Sequence, residues 1–250
     1  MNIQFGSGVL YGYPNSGNLA ANPTPYRFGV LQDAQVDFKG DLKKLYGQQQ
    51  FAVAKARGKI DVTVKAKLAV LDPNLLNQLY FAQAGATGIT LVADGEAQTV
   101  PAASPYTVTV NNAAAFAMDY GVQYAATQQQ LTRLASGTPA QGQYTVSAGG
   151  AYTFAAADEG AGVLISYTYT SATRGETITL TNQLLGYAPN FRALLYNTTS
   201  GKFIALELFN CTASEISVPT KQEDFWIVDF NFDASVDATN TLGKIYADVA

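Results

Sequence analysis

Between Phe51 and Leu71 the sequence alternates for longer than almost any strand needs to. Ala54, Ala56, Gly58, Ile60, Val62, Val64, Ala66 and Leu68 share one parity, and Lys55, Arg57, Lys59, Asp61, Thr63, Lys65 and Lys67 share the other. A period of two is that of a β-strand with one buried face, because successive side chains point to opposite sides of the pleat. The usual strand has about five or six residues. A strand this long must have its edges paired or covered, since a long flat edge invites other strands to add to it. Gly58, in mid-run, predicts a bend or bulge.

Two further stretches carry the same period. Phe28, Val30, Ala34, Val36 and Phe38 alternate with Arg27, Asp33, Gln35, Asp37 and Lys39, and Trp226, Val228, Phe230 and Phe232 alternate with Asp229, Asn231 and Asp233. Residues 26–39, 51–71 and 225–237 are therefore expected to be long strands of one sheet with their charged parity on a common face. The stripe Lys55, Arg57, Lys59, Lys65 and Lys67 admits two readings. It could track a phosphate backbone, or it could sit beside Asp33, Asp37, Asp229, Asp233 and Asp237 in a mixed-charge face. The second is favoured, because each strand that supplies lysines is matched by strands that supply aspartates. Gly40–Gly47 reads as a loop with two apolar anchors. Phe191–Tyr196 and Phe203–Phe209, around Asn197–Gly201, read as a hairpin.

A single helix is well signalled. Asp72 is a good N-cap and Pro73 fits the first helical position. Leu75, Leu76, Leu79 and Tyr80 follow at helical spacing, with Gly85 as the expected terminator. From Ile89 to Leu180 the chain reads as short Thr-, Val- and Tyr-rich strands broken by turns at Asn111-Asn112 and Gly149-Gly150. The segments are Ile89–Ala93, Tyr106–Val110, Tyr144–Ser147, Tyr152–Phe154 and Val163–Thr170, with one helical turn over Ala155–Gly160. Residues 1–25, rich in Gly, Pro and Asn, predict an extended arm or long loop. Residues 26–250 then form a single β-rich domain, in which 86–175 reads as an inserted, hairpin-rich section.

Composition narrows the function classes. Charged residues make up 14% of the chain and hydrophobic ones 48%, against a usual charged share of about a quarter. A surface so poor in solvating charge suits a subunit whose faces become interfaces. The net charge of −4 argues against a dedicated nucleic-acid binder. There is no histidine, which removes His-containing triads, Cys-His dyads and His-ligated metal sites. No nucleophile elbow, phosphate loop or dinucleotide fingerprint stands in a supporting context. The expectation is no catalytic residue, no cofactor and no metal. The sequons at Asn197 and Asn210 are expected to be chance matches, and Cys211 a small buried apolar residue. No apolar run approaches the roughly 20 residues of a membrane helix, and Met1–Gly6 lacks the pattern of a secretory signal. Neither a membrane anchor nor secretion is expected.

Two groups of segments carry a resemblance. The first is Phe28-Gly-Val-Leu-Gln-Asp-Ala-Gln-Val-Asp-Phe38 leading into Leu45-Tyr-Gly-Gln-Gln-Gln-Phe-Ala-Val-Ala-Lys-Ala-Arg-Gly-Lys-Ile60. The second is Asn182-Gln-Leu-Leu-Gly-Tyr-Ala-Pro-Asn-Phe191, with Leu195-Tyr-Asn197 and Pro219–Phe225. Together with Gly150–Asp158 and Ile165–Thr170 they resemble major tail tube proteins of siphophages. The resemblance implies a β-sandwich or barrel-like core with long strands and one flanking α-helix. It implies a homo-oligomer, a hexameric ring stacked into a tube in the virion tail, made in the host cytoplasm. Other tail proteins would be partners, and DNA would pass through transiently without sequence-specific binding. On that reading the charged parity, with Lys55, Arg57, Lys59, Lys65, Lys67, Asp33, Asp37, Asp229 and Asp233, lines the lumen.

Two alternatives belong to other classes. One is a different virion β-module, a capsid-decorating or fibre-associated protein. The other is a carbohydrate-binding β-sandwich, suggested by Tyr11, Tyr13, Tyr26 and the many other tyrosines.

Overall fold

Backbone pairing dominates the chain. The computed structural model describes residues 4–15, 24–70, 72–220 and 222–248. Residues 1–3 and 16–23 of the expected arm, and Leu71 at the end of the expected strand, lie outside these. In chain order the elements begin with β1 (Val9–Pro14), β2 (Tyr26–Arg27), β3 (Leu31–Tyr46), β4 (Ala52–Leu68) and a short helix α1 (Pro73–Leu76). Then come β5 (Gly85–Thr99), β6 (Thr107–Thr109), β7 (Phe116–Tyr124), β8 (Thr132–Arg133), β9 (Gln143–Val146), β10 (Ala151–Phe154) and β11 (Gly162–Ile178). The chain closes with β12 (Asn190–Thr199), β13 (Lys202–Ser217), β14 (Val228–Ser235) and β15 (Gly243–Ala247). The protein is mainly β, with one short helix and predominantly antiparallel pairing. It divides into two compact units: residues 1–84 with 179–250, and residues 85–178.

The first unit is an eight-stranded sheet in the order β2-β1-β12-β13-β14-β4-β3, with β15 also paired to β13. The three stretches of strict alternation thus lie together at one end of one sheet. Their apolar parity is buried: Val64, Ala66 and Leu68 of β4, and Val228, Phe230 and Phe232 of β14. Phe28, Phe191, Phe230 and Phe232 form an aromatic knot, with ring centroids 5.1–6.2 Å apart in tilted and edge-to-face pairs. Such pairs add to the burial of large apolar rings. Leu75, Leu76 and Leu79 pack into the same cluster. Cys211 is buried there too, and desolvation pushes its thiol up to about 12.

The local signals around α1 act as expected at one end and differently at the other. The Asp72 carboxylate accepts from the Asn74 and Leu75 backbone amides at 2.9 and 3.4 Å. After one turn the helix widens over Asn77–Phe81 and ends at Ala82, in the left-handed region at φ 47°. Gly85 is not the terminator; it opens β5. The stop comes instead from buried Asn77, whose side-chain amide donates to the Gln83 carbonyl at 2.8 Å and accepts from its N–H at 3.0 Å.

Three other expectations are corrected. The described part of residues 1–25 is not a free arm, because β1 pairs with β12 from Val9↔Tyr196 to Pro14↔Phe191. Its apolar parity is Leu10, Gly12 and Pro14, so Gly and Pro hide a buried face. A Cβ on Gly12 would meet Leu79 Cδ1 at 2.6 Å, so glycine is what lets the helix approach. The strand expected over 26–39 is interrupted between Arg27 and Leu31. Leu31 pairs with Leu68 and Asp33 with Lys67, leaving one extra residue that puts Leu31 in the core and Val30 at the surface. Gly40–Gly47 is not a loop, since β3 continues through Tyr46.

The second unit has its own core. A three-stranded sheet, β5-β11-β7, and a four-stranded sheet, β6-β10-β9-β8, supply one cluster that includes Val122, Tyr144, Tyr152, Phe154, Ile165 and Tyr167. The chain enters and leaves side by side, with Gly85 paired to Ile178 and Thr87 to Glu176. Asp119 is the polar centre. Its carboxylate accepts from the Tyr144 and Tyr152 hydroxyls at 2.8 and 2.9 Å, with Arg133 Nε at 3.6 Å. A buried carboxylate with these partners holds two rings of the core in one orientation. Burial, followed by the neighbouring Asp119 charge and hydrogen bond, raises both phenols well above the ordinary tyrosine range. Burial and the bond to Asp158 push Tyr124 up to about 12.

Phe230→Ala should lower the unfolding free energy by about 3–5 kcal/mol, read by chemical denaturation; a loss below about 1 kcal/mol would contradict the packing described. The tyrosines set an alkaline limit. A phenol whose folded value is raised contributes stability that is complete below its unfolded value near 10 and is lost as pH rises through the folded value. Ultraviolet titration should therefore show Tyr144 and Tyr152 ionising only together with loss of near-ultraviolet dichroism, and Tyr152→Phe should remove one of these late-titrating groups. Ionisation of all tyrosines near pH 10 in the folded chain would contradict it.

Candidate assembly surfaces

The polar parity of β3, β4 and β14 forms cross-strand rows. Asp33 lies opposite Lys67, and Lys67 opposite Asp229; the next rows are Gln35–Lys65–Asn231 and Asp37–Thr63–Asp233. On β13, Ser217 follows Asp229 and Glu215 follows Asn231. Hydrogen bonds knit the rows: Thr63 Oγ1 donates to Asp233 at 2.7 Å, Asn231 Nδ2 to Glu215 at 2.7 Å, and Gln35 Nε2 to Asp37 at 2.8 Å. Lys67 is flanked by an aspartate on each side, yet among the described residues no ion pair of 4.0 Å or less joins them. The lysine stays solvated between two opposite charges, an arrangement that stabilises by only a fraction of a kcal/mol per pair. Asp33, Asp37, Asp229, Asp233 and Glu215 face Lys65 and Lys67, so this part of the face is acidic.

The five cations of β4 do not share one face, which corrects the single stripe expected. Gly40 pairs with Ile60 and Leu42 with Arg57. Two steps along β3 thus answer three along β4, and the extra residue falls at Gly58-Lys59. The bulge expected at Gly58 is there, and it inverts the parity beyond it. Arg57 and Lys55 pass to the side of Phe38 and Ile60; a Cβ on Gly40 would touch Ile60 and Arg57 alike, at 3.5 Å. Lys59 stands within the bulge. Lys65 and Lys67 remain with the aspartates.

Beyond the sheet, β3 and β4 continue as a two-stranded ribbon. The pairing of β14 with β4 stops at Ala234↔Val62, while β3 and β4 stay paired to Tyr46↔Ala52. Among the described residues, 52–61 pair with β3 alone and β3 pairs with β4 alone. Every residue from Phe38 to Phe51 and from Val53 to Asp61 is solvent-exposed. The apolar ones include Leu45 at 64%, Phe51 at 85% and Val53 at 73%. Large apolar side chains at such exposure, on strands with open edges, make the ribbon a candidate interaction surface.

Of the tyrosines named above, Tyr11 and Tyr13 share one face of β1 and line a cavity of about 510 Å³ with Pro25, Arg192 and Glu207. Tyr11 stacks on Tyr196 at 6.2 Å, and Tyr13 lies opposite Arg192, whose guanidinium covers the Phe209 ring at 4.8 Å and reaches Glu207 at 3.3 Å. Tyr26 packs against the core instead. Among the described residues no group of three or more Cys, Asp or Glu side chains could hold a metal ion. Sequence reasoning missed the ribbon and the Asp119 centre. The ribbon had a signal, because the alternation of β4 outruns that of β14. Asp119 had none beyond a lone aspartate in a Tyr-rich stretch.

No known protein family matches the chain, and no curated protein matches it either.

Lys67→Glu should place three carboxylates in one row. Like charges directly opposite are destabilising, so a loss of about 1 kcal/mol at low salt is expected, shrinking in about 1 M salt as screening sets in. Arg57→Glu, on the far side of the bulge, should cost less than about 0.5 kcal/mol. Equal losses for both, measured by denaturant titration, would contradict the inverted parity.

Proposed function

We propose that the protein is a structural subunit that assembles with copies of itself into closed rings stacked as a tube, the conduit of a long phage tail. The observation that carries this reading is the β3–β4 ribbon, long past its sheet, with open edges and exposed apolar side chains. A monomer gains nothing from such a ribbon, whereas a neighbour that pairs with its edges removes the hazard. A head-to-tail contact that rotates to closure makes a ring, and stacking extends it. The resemblance to siphophage tail tube proteins supports the same reading and makes the ring a hexamer.

In this assembly the mixed-charge rows of β3, β4 and β14 line the lumen. Asp33, Asp37, Asp229 and Asp233 outnumber Lys65 and Lys67 there, so DNA meets a wetted face that does not bind phosphate tightly. Lys55 and Arg57, on the opposite parity, are not part of that lining. No helix among the described residues is long and apolar enough to cross a membrane, in keeping with a place in the virion tail beside other tail proteins.

Negative-stain electron microscopy of the purified chain over a range of concentrations tests this. Rings of uniform diameter, and tubes at higher concentration, are expected. Particles of monomer size at every concentration would overturn the reading, and compact trimers without a central opening would favour a decorating module.

A further inference from the structure

Charge is segregated along this chain. From Phe38 to Asp61 the ribbon carries Lys39, Lys43, Lys44, Lys55, Arg57 and Lys59 against Asp41 and Asp61 alone, a net charge of +4. The whole chain has 15 Lys and Arg and 19 Asp and Glu, net −4, so everything outside the ribbon sums to −8. The outermost part is the most one-sided. Lys43, Lys44 and Lys55 surround the exposed Leu45, Tyr46, Phe51 and Val53, with no acidic residue between positions 43 and 55. A projection that is both basic and apolar matches a groove that is both acidic and apolar.

Such a groove exists at the ribbon's own root. Where β14 ends at Ser235 and β4 runs on, the sheet leaves a notch of about 800 Å³. Phe38, Ile60, Val236 and Leu242 line it, Asp61 and Asp233 are also among its lining residues, and no cation is. Phe38, Ile60 and Val236 are each at least half exposed. Of the β4 residues along this notch, Val62 and Thr63 still pair with Ala234 and Asp233, while Ile60 and Asp61 have no strand partner on the β14 side among the described residues. An incoming strand would therefore meet apolar contact, opposite charge and an open ladder together.

We propose that the tip of one copy's β3–β4 ribbon docks into the notch at the root of a second copy's ribbon. The inference rests on the assembly reading above and names the contact that carries it. Tip and notch are different surfaces of one molecule, so the contact can run head-to-tail from copy to copy. The geometry forbids a tip from reaching the notch of its own ribbon, because the β3–β4 ladder holds the two apart from Gly40↔Ile60 to Tyr46↔Ala52. Opposite charge at the two surfaces makes the contact salt-sensitive.

Cysteine pairing reads the contact directly. The native Cys211 is buried and serves as a silent background. Phe51→Cys and Val236→Cys both alter exposed side chains, so both variants should fold as the native chain does, checked by circular dichroism. Mixed under assembling conditions and oxidised with diamide, Phe51→Cys and a size-tagged Val236→Cys should give a mixed disulfide dimer at least fivefold above a mixture of Phe51→Cys with Leu185→Cys, an exposed control. Val236→Lys should raise the concentration needed for half-assembly at least tenfold, and about 0.5 M salt should do the same to the native chain. If the native chain assembles while the mixed dimer stays at the control level, or Val236→Lys assembles as the native chain does, this inference fails and the assembly reading stands. If the native chain stays monomeric throughout, both fail.

Discussion

An unpaired backbone edge is the constraint on which the rest of this structure turns. Each strand residue presents one N–H and one C=O, and these groups need partners wherever water is excluded. Within the eight-stranded sheet the ladders from β2 to β3 satisfy them. Past Ala234↔Val62 only one ladder remains. There β3 and β4 satisfy each other on their inner sides and leave both outer sides to solvent. The apolar residues on this stretch, including Leu42, Leu45, Phe51 and Ile60, have no core to enter. A ribbon of this kind is stable in isolation only marginally, so within the chain its root in the sheet is what holds it.

The root is well secured. The aromatic knot of Phe28, Phe191, Phe230 and Phe232 sits under β4 and β14, and Leu75 and Leu76 of α1 close it with Leu79 of the wider turn that follows. Residues 85–178 do not share that burden. Their core is built on Tyr144, Tyr152 and Tyr167 around satisfied carboxylates, and both ends of the segment meet at Gly85↔Ile178. A segment with its own core and adjoining ends can be carried by the sheet without interrupting its ladders. This is how one chain combines a sheet devoted to long strands with a second, separately packed unit.

Much of this was legible in the residues. Strict alternation located β3, β4 and β14, and shared charge chemistry placed them side by side. Asp72-Pro73 marked the start of α1. What stayed hidden has specific causes. Gly12 and Pro14 occupy buried positions of β1, so the strand read as an arm. One extra residue near Gln32 and one at Gly58-Lys59 each shift the register by a step, and a one-residue shift moves every later side chain to the other face. Of the five lysine and arginine residues on one written parity, Lys65 and Lys67 therefore lie on one face, Lys55 and Arg57 on the other, and Lys59 in the bulge between them. Asn77 ended α1 through a side-chain clamp to Gln83, which no terminator residue announces. Asp119 joined Tyr144 and Tyr152 from strands distant in sequence, and only the folded chain brings those groups together.

Amide hydrogen exchange on β4 tests the central claim most directly. The strand contains its own control, because residues 62–68 are paired on both sides and residues 52–61 on one. At concentrations where the chain is monomeric, the outward amides between 52 and 61 should exchange quickly and those between 62 and 68 slowly. In the assembled state the first group should gain protection of at least tenfold while the second changes little. Exchange between 52 and 61 that is as fast in assembled particles as in the monomer would contradict the account, because the open edge would then have found no partner.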